Sequence, residues 1–226
     1  MEHCIQPRER ANEQATALVS CPEFEQRLLR PAADGGERRD DERDEVLYVL
    51  AGSGNATIGG ERAVLRQGTG VFVARGVSWR VDEAVGLRLL SVLVAEPLPA
   101  TASHAVIPAG EHGTATAGRE FAVLAGPEHG CASVTQFVGV IPPGRAPDHF
   151  HRYDEVVYVL EGEGTLHVAD ETAPLRPGTC VHLPARLVHC LENAGPGEMR
   201  VLGVFRPAGS PAEAYYPDGS AAAVPA

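Results

Sequence analysis

Four side chains in the C-terminal half of the sequence have the types and the spacing of a metal-ligand set. His149 and His151 lie two residues apart in the segment PPGRAPDHFHRYDEVVYVLEG (142–162), which leads into a predicted strand, so their imidazoles point to one face. Glu155 follows after a three-residue step, and His189 lies on a later predicted strand. Three imidazoles and one carboxylate form a donor set that suits a first-row divalent metal.

The weaker catalytic candidates are three polar side chains near these ligands: Tyr153, Arg145 and Gln136. Tyr153 lies between the ligands and has a hydroxyl that can donate a hydrogen bond to a bound substrate. Arg145 and Gln136 precede the histidine pair and are candidates for the mouth of a cavity. The alternative for each of these two residues is a solvated position on a loop or strand.

The sequence contains one unit twice. The segment EVLYVLAGSGNATIGGERAVLRQGTGVFVA (45–74) aligns without a gap with EVVYVLEGEGTLHVADETAPLRPGTCVHLP (155–184) when the first is shifted by 110 residues. Shared glycines, a shared tyrosine and a shared Leu-Arg pair fall in the same register. So many matches indicate an internal repeat, and therefore two similar structural units.

Each copy of the repeat has the pattern of β-strands. The β-branched and aromatic runs VLYVL and VVYVL end at G-x-G sequences, which are typical of tight turns. Strands at this spacing, with glycine and proline in the turns, predict a sandwich or a barrel. The exception is Pro22–Leu29, where Phe24, Leu28 and Leu29 fit one face of a helix.

The junction between the two copies is rich in proline and small residues and falls near 96–109. It predicts two domains, 1–98 and 99–226. The second domain ends in a low-complexity tail that we expect to be flexible and partly disordered. Tyr215 and Tyr216 offer the alternative that the tail is anchored on the barrel.

The first copy of the repeat lacks the histidines of the second. In the same alignment the three histidines become Arg39, Asp41 and Trp79, while the glutamate becomes Glu45. No histidine occurs between positions 3 and 104, so a gap in the alignment cannot restore the ligand set. We therefore expect the first barrel to be metal-free. Trp79 either fills the barrel or lines a separate ligand pocket together with Arg39.

Composition and charge exclude several classes of function. The formal net charge is −11 with no basic stripe, so nucleic acid is not expected as a partner. The longest apolar stretches are strand-sized, and the polar N-terminus MEHCIQPRER does not have the pattern of a secretory signal. We therefore expect a cytoplasmic protein with no membrane association, whose five cysteines are free thiols.

These motifs resemble those of the cupin superfamily. Cupins carry a first motif G(x)5HxH(x)3–4E(x)6G and a second motif G(x)5PxG(x)2H(x)3N. The matching residues are Gly144, His149, His151, Glu155 and Gly162 for the first motif, and Gly178, Pro184, His189 and Asn193 for the second. Two positions depart from the pattern. Only four residues separate Gly144 from His149, and Arg186 replaces the second glycine of the second motif.

The resemblance implies an all-β bicupin of the conserved-barrel type, with two tandem cupin (jelly-roll, double-stranded β-helix) barrels. It assigns His149, His151, Glu155 and His189 as ligands of one divalent transition metal (Mn, Fe, Co, Ni, Cu or Zn) in the C-terminal barrel. Four protein ligands leave open positions on an octahedral ion, and their charge favours an oxygenated, anionic small molecule. We expect a dioxygenase-type enzyme. The alternatives are a cupin isomerase, decarboxylase or hydrolase, or a non-catalytic binder, and the chain is a monomer or a homodimer.

Overall fold

A computed structural model of the protein describes residues 4–5, 14–32, 36–108, 110 and 113–222. Regular structure in these residues is nearly all β-strand, and the helical segments among them are two short 3-10 turns, Thr116–Gly118 and Pro127–His129. The prediction of an all-β fold is confirmed. Within the described ranges, no helix is long and apolar enough to cross a membrane.

Seventeen strands follow one another along the described chain. They are β1 (Cys4–Ile5), β2 (Ala15–Ser20), β3 (Phe24–Leu29), β4 (Asp44–Ile58), β5 (Glu61–Arg66), β6 (Gly70–Val73), β7 (Trp79–Val94), β8 (His104–Ile107), β9 (Gly113–Thr114), β10 (Glu120–Ala125), β11 (Thr135–Ile141), β12 (Asp154–Glu161), β13 (Gly164–Val168), β14 (Glu171–Leu175), β15 (Cys180–Leu183), β16 (His189–Asn193) and β17 (Met199–Arg206).

The chain divides into two compact units. The first, called here the N-terminal unit, comprises Arg8–Gly110 and Leu124–Gln136. Its antiparallel sheet has the strand order β2-β3-β7-β4-β6-β8, and β5 pairs with β4. Strands β4 and β7 are 15 and 16 residues long and pair along most of their length. Their register shifts near Gly52, where an added Cβ would lie 2.3 Å from the Gly86 carbonyl oxygen, so the strands bend there without separating.

The second unit, called here the C-terminal unit, comprises Met1–Pro7, Glu111–Val123 and Phe137–Ala226. It contains a sheet in the order β1-β15-β12-β17-β11-β10-β9 and a three-stranded sheet in the order β14-β13-β16. The long bent strands of the N-terminal unit are each represented here by two shorter strands, β12 with β13 and β16 with β17. Residues from both sheets of this unit form one apolar core.

The 110-residue repeat of the sequence is also a repeat of hydrogen bonding. The N–H of Thr69 donates to the Arg66 carbonyl (3.0 Å), and the N–H of Thr179 donates to the Arg176 carbonyl (2.8 Å). In both turns the threonine hydroxyl also accepts a hydrogen bond from the arginine N–H. The cores repeat as well, through the pairs Leu47/Val157, Val49/Val159, Leu65/Leu175, Val71/Val181 and Val81/Leu191.

The helix considered for Pro22–Leu29 is wrong, because this segment contains strand β3. β3 lies between β2 and β7 and pairs with both. Phe24, Gln26 and Leu28 are buried on one face, whereas Glu25 and Arg27 alternate with them and are less buried. The alternation has a period of two residues, so the apolar residues that also fit a helical face satisfy the pattern of a strand.

The loop before β4 is one residue longer than the loop before β12, which corrects two of the predicted equivalences. Residues 38 and 79 exchange backbone hydrogen bonds, as residues 149 and 189 do in the C-terminal unit. Arg38 and Asp40, instead of Arg39 and Asp41, therefore occupy the positions that His149 and His151 have in the C-terminal unit. Arg39 is exposed and forms an ion pair with Asp41 (2.7 Å).

The turn before the second-motif histidine has the same left-handed conformation in both units. Gly76 has a φ of 77° in the N-terminal unit, and Arg186 has a φ of 67° at the equivalent place. Both residues donate their N–H to the facing loop, Gly76 to the Asp40 carbonyl (2.6 Å) and Arg186 to the His151 carbonyl (2.7 Å). The missing glycine of the second motif therefore leaves the turn unchanged, at a conformational cost of about 1–2 kcal/mol for an L-residue.

We expect Arg186→Gly to raise the free energy of unfolding by up to about 1 kcal/mol. Glycine relieves the left-handed strain, and the greater freedom of the unfolded chain offsets part of that gain. The Arg186 residue is exposed, so little packing is lost. Urea denaturation, supported by calorimetry, measures the change.

Gly76→Ala is the matched change in the opposite direction. The added Cβ would lie 3.7 Å from the Arg39 side chain and 3.8 Å from that of Asp41, which is ordinary contact. A loss of about 1 kcal/mol in the free energy of unfolding would therefore report the backbone conformation alone. A Gly76→Ala protein as stable as the parent, or an Arg186→Gly protein less stable than the parent, would contradict this account of the turn.

Candidate metal centre

The four predicted ligands lie on three segments of the C-terminal unit. His149 and His151 are in the loop before β12, Glu155 is the second residue of β12, and His189 is the first residue of β16. The N–H of His149 donates to the His189 carbonyl (3.0 Å), and the N–H of His189 donates to the His149 carbonyl (2.8 Å). This backbone bridge sets the two histidines side by side although they are distant in sequence.

The three imidazoles converge. Their ring centroids are separated by 5.0 Å for His149 and His151, 4.8 Å for His149 and His189, and 5.4 Å for His151 and His189. One nitrogen from each ring belongs to a set in which all atoms lie within 4.8 Å of one another. The structure therefore brings three of the four predicted ligands together around one point.

The hydrogen bonds that the described residues make to the rings leave the same nitrogen free on each of them. Nδ1 lies 2.9 Å from the Pro147 carbonyl for His149, 2.8 Å from the Leu187 carbonyl for His189 and 2.7 Å from the Glu213 carbonyl for His151. A carbonyl oxygen only accepts, so each Nδ1 carries the proton and donates. Each Nε2 is then an unprotonated lone-pair donor, which is the arrangement that orients a metal-binding imidazole.

Burial keeps these imidazoles neutral. Desolvation is the main cause that lowers the pKa of all three histidines, to about 3 for His151 and well below the ordinary value for His189. The positive charge of Arg119 lowers the pKa of each ring further. Neutral imidazoles are the form that binds a metal, so no proton has to be removed from them at neutral pH.

Glu155 is buried beside the histidines but is not part of the 4.8 Å set. Its carboxylate forms no hydrogen bond to any residue that the structure describes. Burial raises the pKa of Glu155 to about 8, opposed by the positive charge of Arg119. An added Cβ at Gly203 would lie 2.9 Å from its Oε1, so glycine keeps the space next to this carboxylate open. A buried carboxylate without a donor has the chemistry of a cation ligand.

The equivalent glutamate in the N-terminal unit is fully satisfied. Trp79 Nε1–H donates to Glu45 Oε2 (2.8 Å), and the Ser91 hydroxyl donates to Glu45 Oε1. Trp79 is 2% exposed and belongs to the apolar core, and the Arg38 guanidinium carbon lies 5.5 Å from the centroid of its ring. Trp79 thus packs in the core of its unit, which agrees with the first of the two interpretations of this residue. In the same position as Ser91, the C-terminal unit has Gly203.

A cavity, partly open to solvent, lies against the histidine cluster within the C-terminal unit. All four predicted ligands line it. Its remaining wall is mainly apolar and includes Phe121, Phe137, Ile141, Leu191, Val201 and Tyr216. An apolar wall beside a small cluster of polar side chains is typical of sites that bind small organic molecules.

The C-terminal tail covers one side of this cavity, and Tyr215 anchors it. Tyr215 exchanges backbone hydrogen bonds with Phe150 (2.8 and 3.0 Å), and the two rings stack with centroids 5.6 Å apart. The Arg152 guanidinium carbon lies 4.1 Å from the centroid of the Tyr215 ring. Pro211, Ala212, Ala214, Tyr216 and Ala222 of the tail line the cavity. The last four residues, 223–226, lie outside the described part of the chain.

The weaker candidates are placed differently from one another. Tyr153 lines the cavity, its hydroxyl lies 2.9 Å from His151 Nδ1, and its ring stacks on Phe205 with centroids 3.9 Å apart. Arg145 is exposed, forms an ion pair with Asp148 (2.9 Å) and lines a smaller neighbouring cavity. Gln136 is buried in β11 within a segment of the N-terminal unit. Of the three, only Tyr153 lies beside the histidine cluster.

Arg119 is a cavity residue that the sequence analysis missed. It lies between the 3-10 turn Thr116–Gly118 and β10, and it lines both the large cavity and the smaller one. The segment TATAGREFAV around it contains no motif and lies outside the repeat. Its proximity to the ligands follows from strand pairing over a long sequence distance, which no local spacing reports.

Comparison with known proteins supports a cupin domain in the C-terminal unit. Residues 137–205 match the family model described as "Cupin domain". Auxin-binding protein 1 of Arabidopsis thaliana is 30% identical over 84 residues, which cover 33% of this chain and 42% of that protein. Polyketide synthase CurC of Streptomyces cyaneus is 33% identical over 75 residues, which cover 32% of this chain and 49% of that protein. The chain thus spans less than half the length of each of these curated relatives.

Solved structures share the fold over most of the chain at low identity. AerE from Microcystis aeruginosa superposes with a TM-score of 0.70 and 14% identity, covering 91% of this chain and 99% of that one. A cupin 2 conserved barrel domain protein from Leptotrichia buccalis gives 0.59 and 16%, covering 88% and 91%. Oxalate decarboxylase from Bacillus subtilis gives 0.60 and 14%, covering 83% and 69%. Residues 137–205 therefore match a cupin domain, and the solved structures share the all-β fold over most of the chain.

Proposed function

We propose that the chain is a metal-dependent bicupin whose C-terminal barrel alone binds one divalent transition metal, through His149, His151, Glu155 and His189. The observation that carries this proposal is the shared tautomer of the histidines, since every Nδ1 donates to a backbone carbonyl and every Nε2 is left free. The buried carboxylate of Glu155 supplies the negative charge that such a cluster lacks. Mixed imidazole and carboxylate donors suit Mn, Fe, Co, Ni, Cu or Zn.

The proposed reaction is a dioxygenase-type oxidation of a small oxygenated substrate, in which dioxygen is the co-substrate. When bound, the metal supplies Lewis-acid activation of substrate oxygen atoms and, if it is redox-active, electron transfer. The protein contributes an apolar chamber on the open side of the donor set, which holds the substrate and excludes water. Tyr153, next to His151, holds that ring by stacking and by its hydroxyl.

Charge favours acidic oxygen groups on the substrate. Three neutral imidazoles and one carboxylate leave a divalent ion with a net positive charge of about one. Enols, phenols and carboxylates lose a proton readily and bind such a centre as anions. The proposed substrates are therefore small enolic, phenolic or carboxylate compounds.

A non-catalytic binder is the second candidate, and one observation favours it. The relative that is 30% identical over 84 residues carries the name auxin-binding protein, which describes binding and no reaction. Isomerase, decarboxylase and hydrolase activities also suit a metal in this type of cavity. Turnover that consumes dioxygen and stops on chelation distinguishes the first candidate from all of these.

We expect the purified, untagged protein to contain about one equivalent of a divalent transition metal and the His149→Ala/His151→Ala variant to contain none. Removing two of three imidazoles leaves too few donors to hold an ion. Elemental analysis measures the content. His167→Ala is the matched control, because His167 belongs to the same unit but bonds to Glu192 (2.6 Å), away from the cluster. Absence of metal in the wild type, even after reconstitution, would refute the metal site.

Glu155→Gln is expected to weaken metal binding by at least about 10- to 100-fold, because the neutral amide removes the only anionic ligand of the proposed set. The affinity is measured by competition with a chromogenic chelator. Glu45→Gln is the matched control at the same position of the repeat, and it should leave the affinity unchanged. Glu45→Gln should instead lower the free energy of unfolding by about 1–3 kcal/mol, because Trp79 and Ser91 lose a charged hydrogen-bond acceptor. Unchanged affinity in Glu155→Gln would remove Glu155 from the ligand set and leave the three histidines.

Oxygen consumption tests the reaction class. We expect the Fe-, Mn-, Ni- or Cu-loaded protein to take up one dioxygen per molecule of product with a substrate from a panel of enols and catechols. Uptake should stop on chelation and should be absent in the His149→Ala/His151→Ala variant. Stoichiometric binding of panel members without oxygen uptake or any other product would favour the non-catalytic binder.

A further inference from the structure

The cavity at the histidine cluster has one permanently cationic side chain in an otherwise mainly apolar wall. That side chain is Arg119, whose segment enters the C-terminal unit just before β10. Its Nη2–H donates to the Leu191 carbonyl (2.8 Å), and Leu191 lies on β16 two residues after His189. The guanidinium is therefore held against the strand that carries one of the proposed metal ligands.

Arg119 lacks an anionic hydrogen-bonded partner. Its hydrogen-bond partners are the Leu191 carbonyl and the Cys190 thiol, and the charge of Glu155 also acts on it, although no ion pair joins Arg119 to a carboxylate among the described residues. A guanidinium has five N–H donors, so several of them remain available. Arg119 is partly buried, and desolvation lowers its pKa. A partly desolvated cation is stabilised when an anion from outside binds to it.

We propose that Arg119 is the specificity-determining residue of this cavity and that it binds the carboxylate of a substrate whose remainder is apolar. The proposal rests on the metal-dependent function proposed above, because it names the class of substrate for that site. The planar fork of the guanidinium matches a carboxylate with two parallel hydrogen bonds.

The polarity of the cavity defines the rest of the molecule. Away from Arg119 and the proposed metal, a second carboxylate would face apolar side chains such as Phe121, Phe137 and Val201. Burying an unpaired charge there is costly, so the fitting ligand is a monocarboxylate with an aromatic or branched aliphatic body.

The test measures binding of benzoate, trans-cinnamate, 3-phenylpropionate and 4-methylvalerate to the Mn-loaded protein by calorimetry, with the corresponding amides as neutral analogues. At least one acid should bind, and its amide should bind about 10- to 100-fold more weakly. Arg119→Gln should reduce the affinity for the acid by a similar factor and leave that for the amide unchanged. Compared with Arg119→Gln, Arg119→Lys should restore part of the affinity for the acid. Arg200→Gln is the matched control, because Arg200 belongs to the same unit, pairs with Glu161 and does not line the cavity.

Measured metal content separates this inference from the proposed function. If the wild type and Arg119→Gln hold equal metal and bind acid and amide alike, the role of Arg119 is overturned while the metal site stands. Failure of all four acids to bind the wild type at 10 mM also overturns it. If the wild type holds no metal, the proposed function fails, and the same acid–amide comparison on the metal-free protein still decides whether Arg119 selects carboxylates.

Discussion

The proposed metal centre depends on the backbone bridge between residues 149 and 189. Two N–H to carbonyl hydrogen bonds place an imidazole from the loop before β12 next to an imidazole from β16. The N-terminal unit forms the same bridge between Arg38 and Trp79, with both hydrogen bonds at 2.8 Å. The bridge is thus a property of the fold that does not require a metal. The side chains that it carries decide whether a unit presents metal ligands or an apolar core.

Much of the fold and the site could be predicted because the signals are local. Strand alternation, G-x-G turns and the repeat predicted the all-β fold from residues that are near one another in sequence. The spacing of the histidines identified the three imidazoles that the structure brings together. Both predictions depend on the identity of side chains on a strand or its flanking loop. The strand period fixes the direction in which such a side chain points.

Other features depended on information that the sequence does not contain locally. Pro22–Leu29 fits two periodicities, and pairing of β3 with both neighbours selects the strand. The one-residue difference between the loops before β4 and β12 became visible only through the hydrogen bonds of Arg38. Arg119 reaches the cavity through strand pairing at long range, so no spacing in its own segment marks it. At Arg186 the residue type predicted a change that did not occur. The backbone keeps its left-handed turn there although an L-residue disfavours that conformation.

The tail gives the histidine cluster an asymmetry. Two of the imidazoles take the acceptor for Nδ1 from the carbonyl two residues earlier, so a local turn orients them. The ring of His151 takes its acceptor from Glu213, on the tail that Tyr215 holds against Phe150. Tyr153 also contacts this ring, by stacking and by its hydroxyl, so the tail and Tyr153 together orient His151. A substitution in the tail would therefore act on one ligand of the proposed centre and leave the local turns of the other two histidines unaltered.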